Sequence, residues 1–81
     1  MTFRFTARAD KDYAALTPAV RRAFAKQLEL LLANPRHPSL QTKKYDIPNE
    51  IWQARVTLNW RFYFVIRADE YAIISIIPHP K

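Results

Sequence analysis

From residue 50 to residue 78 the chain reads EIWQARVTLNWRFYFVIRADEYAIISIIP, and this stretch decides the fold. Trp52, Ala54 and Val56 alternate with Gln53, Arg55 and Thr57. After a turn at Leu58-Asn59, Trp60, Phe62, Phe64 and Ile66 share one parity, while Arg61, Tyr63 and Arg67 take the other. Successive side chains on a strand point to opposite faces, so a two-residue period marks strands with one buried face. Ala68-Asp69-Glu70 is the next turn, and Tyr71 to Ile77 is a last strand, rich in isoleucine and bounded by Pro78. Consecutive strands joined by such short turns build antiparallel hairpins.

Upstream, the segment from Arg36 to Asn49 contains Pro38 and Pro48, follows Pro35, and offers one short candidate strand near Thr42 to Tyr45. Before it the period changes. Val20, Phe24, Leu28, Leu31 and Leu32 recur at helical spacing, with Arg21, Arg22, Lys26 and Glu29 elsewhere on the wheel. Thr17 is the expected N-cap, Pro18 fits the first helical position, and Asn34-Pro35 ends the helix. A shorter helix with Asp10 as its cap is predicted to carry Tyr13, Ala14 and Leu16 inward, and Phe3 and Phe5 alternate as a first strand. The expected order is β-α-α-β-β-β-β: an α+β domain with an N-terminal strand, a helical hairpin packed on one face, and an antiparallel sheet.

The composition bounds the function. A chain of 81 residues with 49% hydrophobic and 25% charged residues builds one core, so residues 1 to 81 are read as a single domain. It has no cysteine, which removes disulfides, thiolate metal sites and a cysteine nucleophile. It has no glycine either, which removes phosphate-loop and dinucleotide fingerprints and leaves the turns to residues such as Asn59 and Asp69. Two histidines far apart and scattered acids give no metal-ligand spacing, so no metal and no cofactor is expected. No apolar run has the length of a membrane span and the N-terminus MTFRFTARAD is not a signal peptide, so the protein is expected in the cytoplasm. The net charge of +6 and the pI near 10.1 favour a polyanionic or acidic partner. The bias is concentrated in the middle of the chain, where Arg21, Arg22, Lys26, Arg36, Lys43, Lys44, Arg55, Arg61 and Arg67 face only Glu29, Asp46 and Glu50.

If the aromatic parity covers the helices, the opposite face carries Gln53, Arg55, Arg61, Tyr63 and Arg67. Strand parity also puts Tyr71, Ser75 and His79 on one face, provided the last strand stays regular. On the open face, Arg55, Arg61, Tyr63 and His79 would converge. Arginine presents a planar fork of donors to phosphate and can neutralise charge developing on it. Histidine can protonate a leaving oxygen near neutral pH, tyrosine can stack on a base, and Lys43 and Lys44 can hold flanking phosphates. Taken singly these are ordinary surface residues; only as a set do they point to RNA.

The series Leu30-Leu31-Leu32-Ala33-Asn34-Pro35, His37-Pro38-Ser39-Leu40, Lys43-Lys44, Ile51-Trp52-Gln53-Ala54-Arg55-Val56, Trp60-Arg61-Phe62-Tyr63-Phe64 and Ile76-Ile77-Pro78-His79 resembles the toxins of the RelE/ParE toxin–antitoxin superfamily, in order and over nearly the whole chain. The resemblance implies a microbial RNase-like fold. In the RelE branch it implies metal-independent cleavage of mRNA in the ribosomal A site, with the substrate 2′-hydroxyl attacking the adjacent phosphate; the ParE branch inhibits DNA gyrase. It further implies a cognate acidic antitoxin, with operator DNA contacted only through that antitoxin. Arg61 takes the place of the family's phosphate-binding catalytic arginine, His79 that of the terminal acid, Arg55 that of the basic residue on the preceding strand, and His37 that of a catalytic loop histidine. Lys43, Lys44, Arg67 and Tyr63 would contact RNA. The glutamate base of YoeB-like members has no clear counterpart, since Glu50 is near but shifted, and His37 is the expected base. The retained Arg61 and His79 favour a translation-inhibiting endoribonuclease over a gyrase inhibitor or a degenerate toxin that only docks its antitoxin.

Overall fold

The structure is a computed structural model and describes residues 1–79. Its elements are β1 (Thr2–Phe5), α1 (Ala7–Ala15), α2 (Pro18–Ala33), a 3-10 turn (Pro38–Leu40), β2 (Lys43–Asp46), β3 (Ile51–Thr57), β4 (Trp60–Arg67) and β5 (Glu70–Pro78). The expected element order holds throughout. The five strands form one sheet in the order β1-β5-β4-β3-β2. Strands β2 to β5 pair antiparallel as predicted, whereas β1 runs parallel to β5, with Thr2 opposite Glu70 and Phe5 opposite Ile73. The helical hairpin intervenes between β1 and the rest of the sheet, which is what lets an edge strand join parallel.

Helix α2 begins as its sequence requires, with the Thr17 hydroxyl accepting from the Val20 N–H and Pro18 at the first position. Helix α1 starts earlier than predicted. Thr6, not Asp10, is its N-cap, accepting from the Ala9 N–H, and Asp10 lies inside the first turn. Thr6 is preferred because its hydroxyl also donates to the Ile74 carbonyl, tying the cap to β5.

The core lies between the hairpin and the even-numbered face of β4. Phe24 of α2 meets Phe62 edge-on at 5.3 Å and Phe5 at 5.9 Å. Phe24, Phe62, Phe64, Leu31, Leu40, Ile73 and Ile76 are fully buried, and Trp52 and Trp60 pack against them half-buried. Leu32, assigned inward by its spacing, is exposed at the end of α2, and Gln27 is buried in its stead. Its amide donates to the Ser39 and Arg55 carbonyls at 3.1 and 2.9 Å, pinning α2 to the 3-10 turn and to β3.

Three bulges shape the sheet. The registers skip Tyr45 in β2, Val56 in β3 and Ile74 in β5. The last one overturns the parity expected for β5. Tyr71 pairs with Ile66 and packs edge-on against Phe64 on the helix side, whereas Ser75 pairs with Tyr63 on the other face. One extra residue shifts alternation by one, so Tyr71 and Ser75 cannot share a face.

With no glycine available, Gln41, Glu50 and Ala68 take positive φ angles of 46°, 55° and 53°. A side chain with a Cβ pays about 1–2 kcal/mol in this region. Ala68→Gly, in the exposed β4–β5 turn, is therefore expected to raise stability by roughly 0.5–1 kcal/mol after the entropic cost of glycine, measured as a shift in the urea midpoint at unchanged slope.

Candidate functional site

The face of the sheet turned away from the helices is built by the odd-numbered residues of β3 and β4. Two cross-strand rows run over it. Arg55 lies opposite Arg61, which lies opposite Ile77; next to it Lys43 lies opposite Gln53, Gln53 opposite Tyr63, and Tyr63 opposite Ser75. Directly opposed Cβ atoms sit about 4.5–5.5 Å apart, so the two arginines start from neighbouring positions, and each guanidinium then turns to its own acceptors. Like charges placed this way repel. Among the described residues the ion pairs are Arg4 with Glu70 and Arg8 with Asp12, and neither includes Arg55 or Arg61.

Both arginines are held by the protein at one end. A single Arg61 nitrogen, Nη1, donates to the Thr57, Leu58 and Trp60 carbonyls at 2.7, 3.2 and 3.0 Å, clamping the β3–β4 turn. Its Nε and Nη2 have no protein acceptor among the described residues. Arg61 is only 9% exposed, and its pKa is lowered, first by burial and then by the neighbouring Arg55. Arg55 donates from Nη2 to the Gln41 side-chain carbonyl at 2.8 Å, and its buried Nε has no partner among the described residues. A buried donor without an acceptor is rare. Being buried, this nitrogen is out of an anion's reach; what the pair offers an anion is its charge, which no described carboxylate pairs.

His79 follows β5 and is anchored there by its N–H, which donates to the Asn59 carbonyl at 2.7 Å. Beyond the bulge Ser75 and Ile77 lie on the open face, and continued alternation puts His79 on that face beside the turn clamped by Arg61. The exposed residue thus lies two positions beyond Ile77, about 7 Å along the strand direction from the arginine row, by a route different from the expected one. The parity argument required a regular strand and also placed Tyr71 there; the bulge keeps His79 and removes Tyr71.

Other predicted residues are dispersed. His37 is on the helix side. It caps the 3-10 turn, its Nδ1 accepting from the Ser39 N–H at 3.2 Å and lying 2.9 Å from the Ser39 hydroxyl. It also lines a groove of about 440 Å³ with Leu31, Trp52, Phe64, Ile66 and Tyr71. The sheet separates it from Arg55 and Arg61, so the expected convergence of His37 with the arginines does not occur. Lys43 and Lys44 are split by the alternation of β2: Lys43 shares the Gln53 row, while the Lys44 ammonium sits 4.2 Å over the Trp52 ring on the helix side. Arg67 shares the open face but lies at the far end of β4, six residues or about 20 Å from Arg61. Glu50 takes a positive φ in the turn before β3 and is exposed.

Tyr63 is buried rather than exposed, with 8% of its surface accessible, and its pKa is raised, first by burial and then by Tyr45. The exposed aromatic on this face is Tyr45, whose ring meets that of Tyr63 at 4.7 Å. Sequence reading passed over Tyr45, although alternation from Lys43 puts it on the same face, and that parity is the signal that could have found it. Gln41, which orients Arg55, was also missed, being a loop residue before β2. No group of three or more potential metal-ligating side chains occurs among the described residues.

No protein-family model matches the sequence, and no curated protein matches it. Solved structures do match. A YoeB/ParE toxin from Agrobacterium tumefaciens superposes with a TM-score of 0.83 at 16% identity, covering 99% of this chain and 100% of that one. A YoeB dimer from Staphylococcus aureus gives 0.82 at 14% identity, covering 99% and 98%, and the isolated RelE toxin of E. coli gives 0.77 at 20% identity, covering 99% and 85%. The chain has the RelE/YoeB toxin fold.

An anion bridging Arg55 and Arg61 is expected to stabilise the folded chain by mass action. Inorganic phosphate titrated to about a hundred times its dissociation constant should contribute roughly 2–3 kcal/mol, read as a rise in melting temperature at constant ionic strength. Arg55→Ala should remove most of that rise.

Proposed function

We propose that this chain is the toxin of a type II toxin–antitoxin system and that it acts as a metal-independent, ribosome-dependent mRNA endonuclease. The observation that carries the reading is the Arg55–Arg61 pair on an open sheet face, with no described carboxylate paired to either and His79 held by its N–H at the adjoining β3–β4 turn. Such a face is built for a phosphodiester. The free edges of the two guanidinium groups bind the non-bridging oxygens and stabilise the added charge when the substrate 2′-hydroxyl attacks phosphorus. As it attacks, the 2′-hydroxyl gives up its proton to solvent water, the bond to the 5′-oxygen breaks, a 2′,3′-cyclic phosphate forms, and His79 supplies the proton to the departing 5′-oxygen. Lys43 and, farther along β4, Arg67 hold flanking phosphates and give the binding its salt dependence. Lys44 is committed to Trp52, and His37 is too far round the sheet to share in the chemistry.

The fold supports the toxin reading, and complexes such as the E. coli RelBE and the S. aureus YoeB-YefM toxin–antitoxin assemblies support a partner of the same kind here. For this chain, with its net charge of +6, the fitting partner is an acidic antitoxin whose charge masks the open face. No helix among the described residues is long and apolar enough to cross a membrane, and the reading places the chain in the cytoplasm with its ribosome-bound substrate.

Primer extension on total mRNA after a short induction without antitoxin tests the activity. Cuts phased to codons are expected, weakened about 10²-fold or more by Arg55→Ala and by His79→Ala. Arg61→Ala should abolish them too, but it also removes the turn clamp, so its melting curve must accompany it. Growth arrest with intact messages and DNA-damage signalling would replace this reading with gyrase inhibition. Full cutting by His79→Ala would remove His79 from the mechanism.

A further inference from the structure

Beside the arginine row the open face sinks into a notch of about 160 Å³, lined by Arg8, Tyr45, Ile51, Tyr63, Ser75 and Ile77, with Ile74 at its edge. We propose that this notch seats a single nucleobase, the one adjoining the phosphate held by Arg55 and Arg61, and that it sets the base preference of the cut. The proposal rests on the nuclease reading for where the phosphate lies, and on the notch itself for the rest.

Position is the first argument. The row Gln53–Tyr63–Ser75 lies two residues along the strands from the row Arg55–Arg61–Ile77, a step of about 7 Å. A base in the notch is therefore within one nucleotide of the bound phosphate. The walls are the second argument. The Tyr45 ring is 61% exposed and stands against Tyr63 at an interplanar angle of 64°, so it offers a free aromatic surface above a floor of isoleucine. Every base has a flat π-face that such a surface accepts.

The polar groups turn a stacking platform into a reader. Ser75 and Tyr63, 7% and 8% exposed, both line the notch, and neither side-chain hydroxyl makes a hydrogen bond among the described residues. Buried polar groups are normally paired. The two are cross-strand partners on the open face. A hydroxyl and a phenol each supply a donor and an acceptor to a base edge. The Ile74 bulge makes this place, because it turns Ser75 onto the open face opposite Tyr63.

The test uses two sets of four trinucleotides that carry a 2′-methoxy group at the reacting position, so that they bind and are not cut. They differ only in the base next to the blocked linkage, on its 5′ side in one series and its 3′ side in the other. Affinities are measured by fluorescence anisotropy for the wild-type chain, Tyr45→Ala, Tyr45→Phe, Ser75→Ala and Arg55→Ala, each checked for folding by its melting curve. Discrimination of about tenfold among the bases is expected for the wild type in one series. It should collapse in Tyr45→Ala and Ser75→Ala and persist in Tyr45→Phe, whereas Arg55→Ala should weaken all four ligands alike and keep their ratio. Equal binding of all bases by the wild type, or a ratio unchanged in both Tyr45→Ala and Ser75→Ala, overturns the proposal. Base-selective binding without cleavage of unblocked message on ribosomes would leave the notch standing and overturn the nuclease reading. Cleavage whose base preference neither variant alters would do the reverse.

Discussion

The Ile74 bulge, held by α1, is the constraint on which the two faces of this sheet depend. The Thr6 hydroxyl takes the Ile74 carbonyl, and the Asp12 carboxylate takes the Ile76 N–H at 3.0 Å, so the part of β5 that β1 no longer covers is satisfied by side chains of the first helix. The extra residue shifts the alternation of β5 at its middle. Before it, Tyr71 and Ile73 complete the core beneath α2; after it, Ile76 does so and Ser75 and Ile77 belong to the open face. A straight β5 could not supply both the upper core and the wall of a binding face. The energy that stabilises the hairpin on the sheet and the geometry of the candidate site thus come from one local irregularity.

This also explains which parts were legible in the sequence. Strands β3 and β4 were, because Trp52, Ala54, Trp60, Phe62 and Phe64 alternate without interruption over the face that buries them. The opposition of Arg55 to Arg61 was not: a two-residue turn that pairs Thr57 with Trp60 would set Arg55 opposite Phe62, and the Val56 bulge moves it opposite Arg61. Helix α2 was legible from Thr17-Pro18 and its apolar stripe, up to its last turn, where Leu32 escapes the core because the helix outruns the sheet. What was not legible depends on contacts far apart in the chain. Thr6 displaces Asp10 as a cap because β5 needs its hydroxyl, 68 residues away. Ser75 reaches the open face, and Tyr71 leaves it, because of a bulge that no period reveals. His37 came in through the family resemblance, in the place of a catalytic loop histidine; its Nδ1 is used locally by Ser39 on the helix side.

Electrostatically, the open face is kept in deficit. An isolated pair of opposed arginines costs stability, and burial of Arg61 adds to that cost, as the lowered pKa records. The protein offsets part of it with dipoles instead of with acids: three carbonyls of the β3–β4 turn converge on Arg61 and the Gln41 amide oxygen on Arg55. Carbonyls orient a guanidinium without cancelling its charge. A carboxylate in the same place would have made a more stable sheet and a weaker anion site. The nearby acids are spent elsewhere, Asp12 on the Ile76 N–H and Asp46 on Asn49, whose two hydrogen bonds hold the Asp46 pKa below its ordinary value.

Arg61 therefore joins fold and function in one side chain. Its Nη1 closes the turn whose Asn59 carbonyl anchors the His79 N–H, and its remaining nitrogens face the place where a phosphate would lie. The Val56 bulge beside that turn sets Arg55 opposite it, and Gln27 fixes Arg55 from the helix side by binding its carbonyl. A lysine at position 61 would keep the charge but not the fork, and could not hold three carbonyls while presenting donors to an anion. The spacing of the proposed catalytic groups is thus set by rigid backbone on three strands rather than by loops, and rigid placement is what a face needs if it is to stabilise charge that exists only in a transition state.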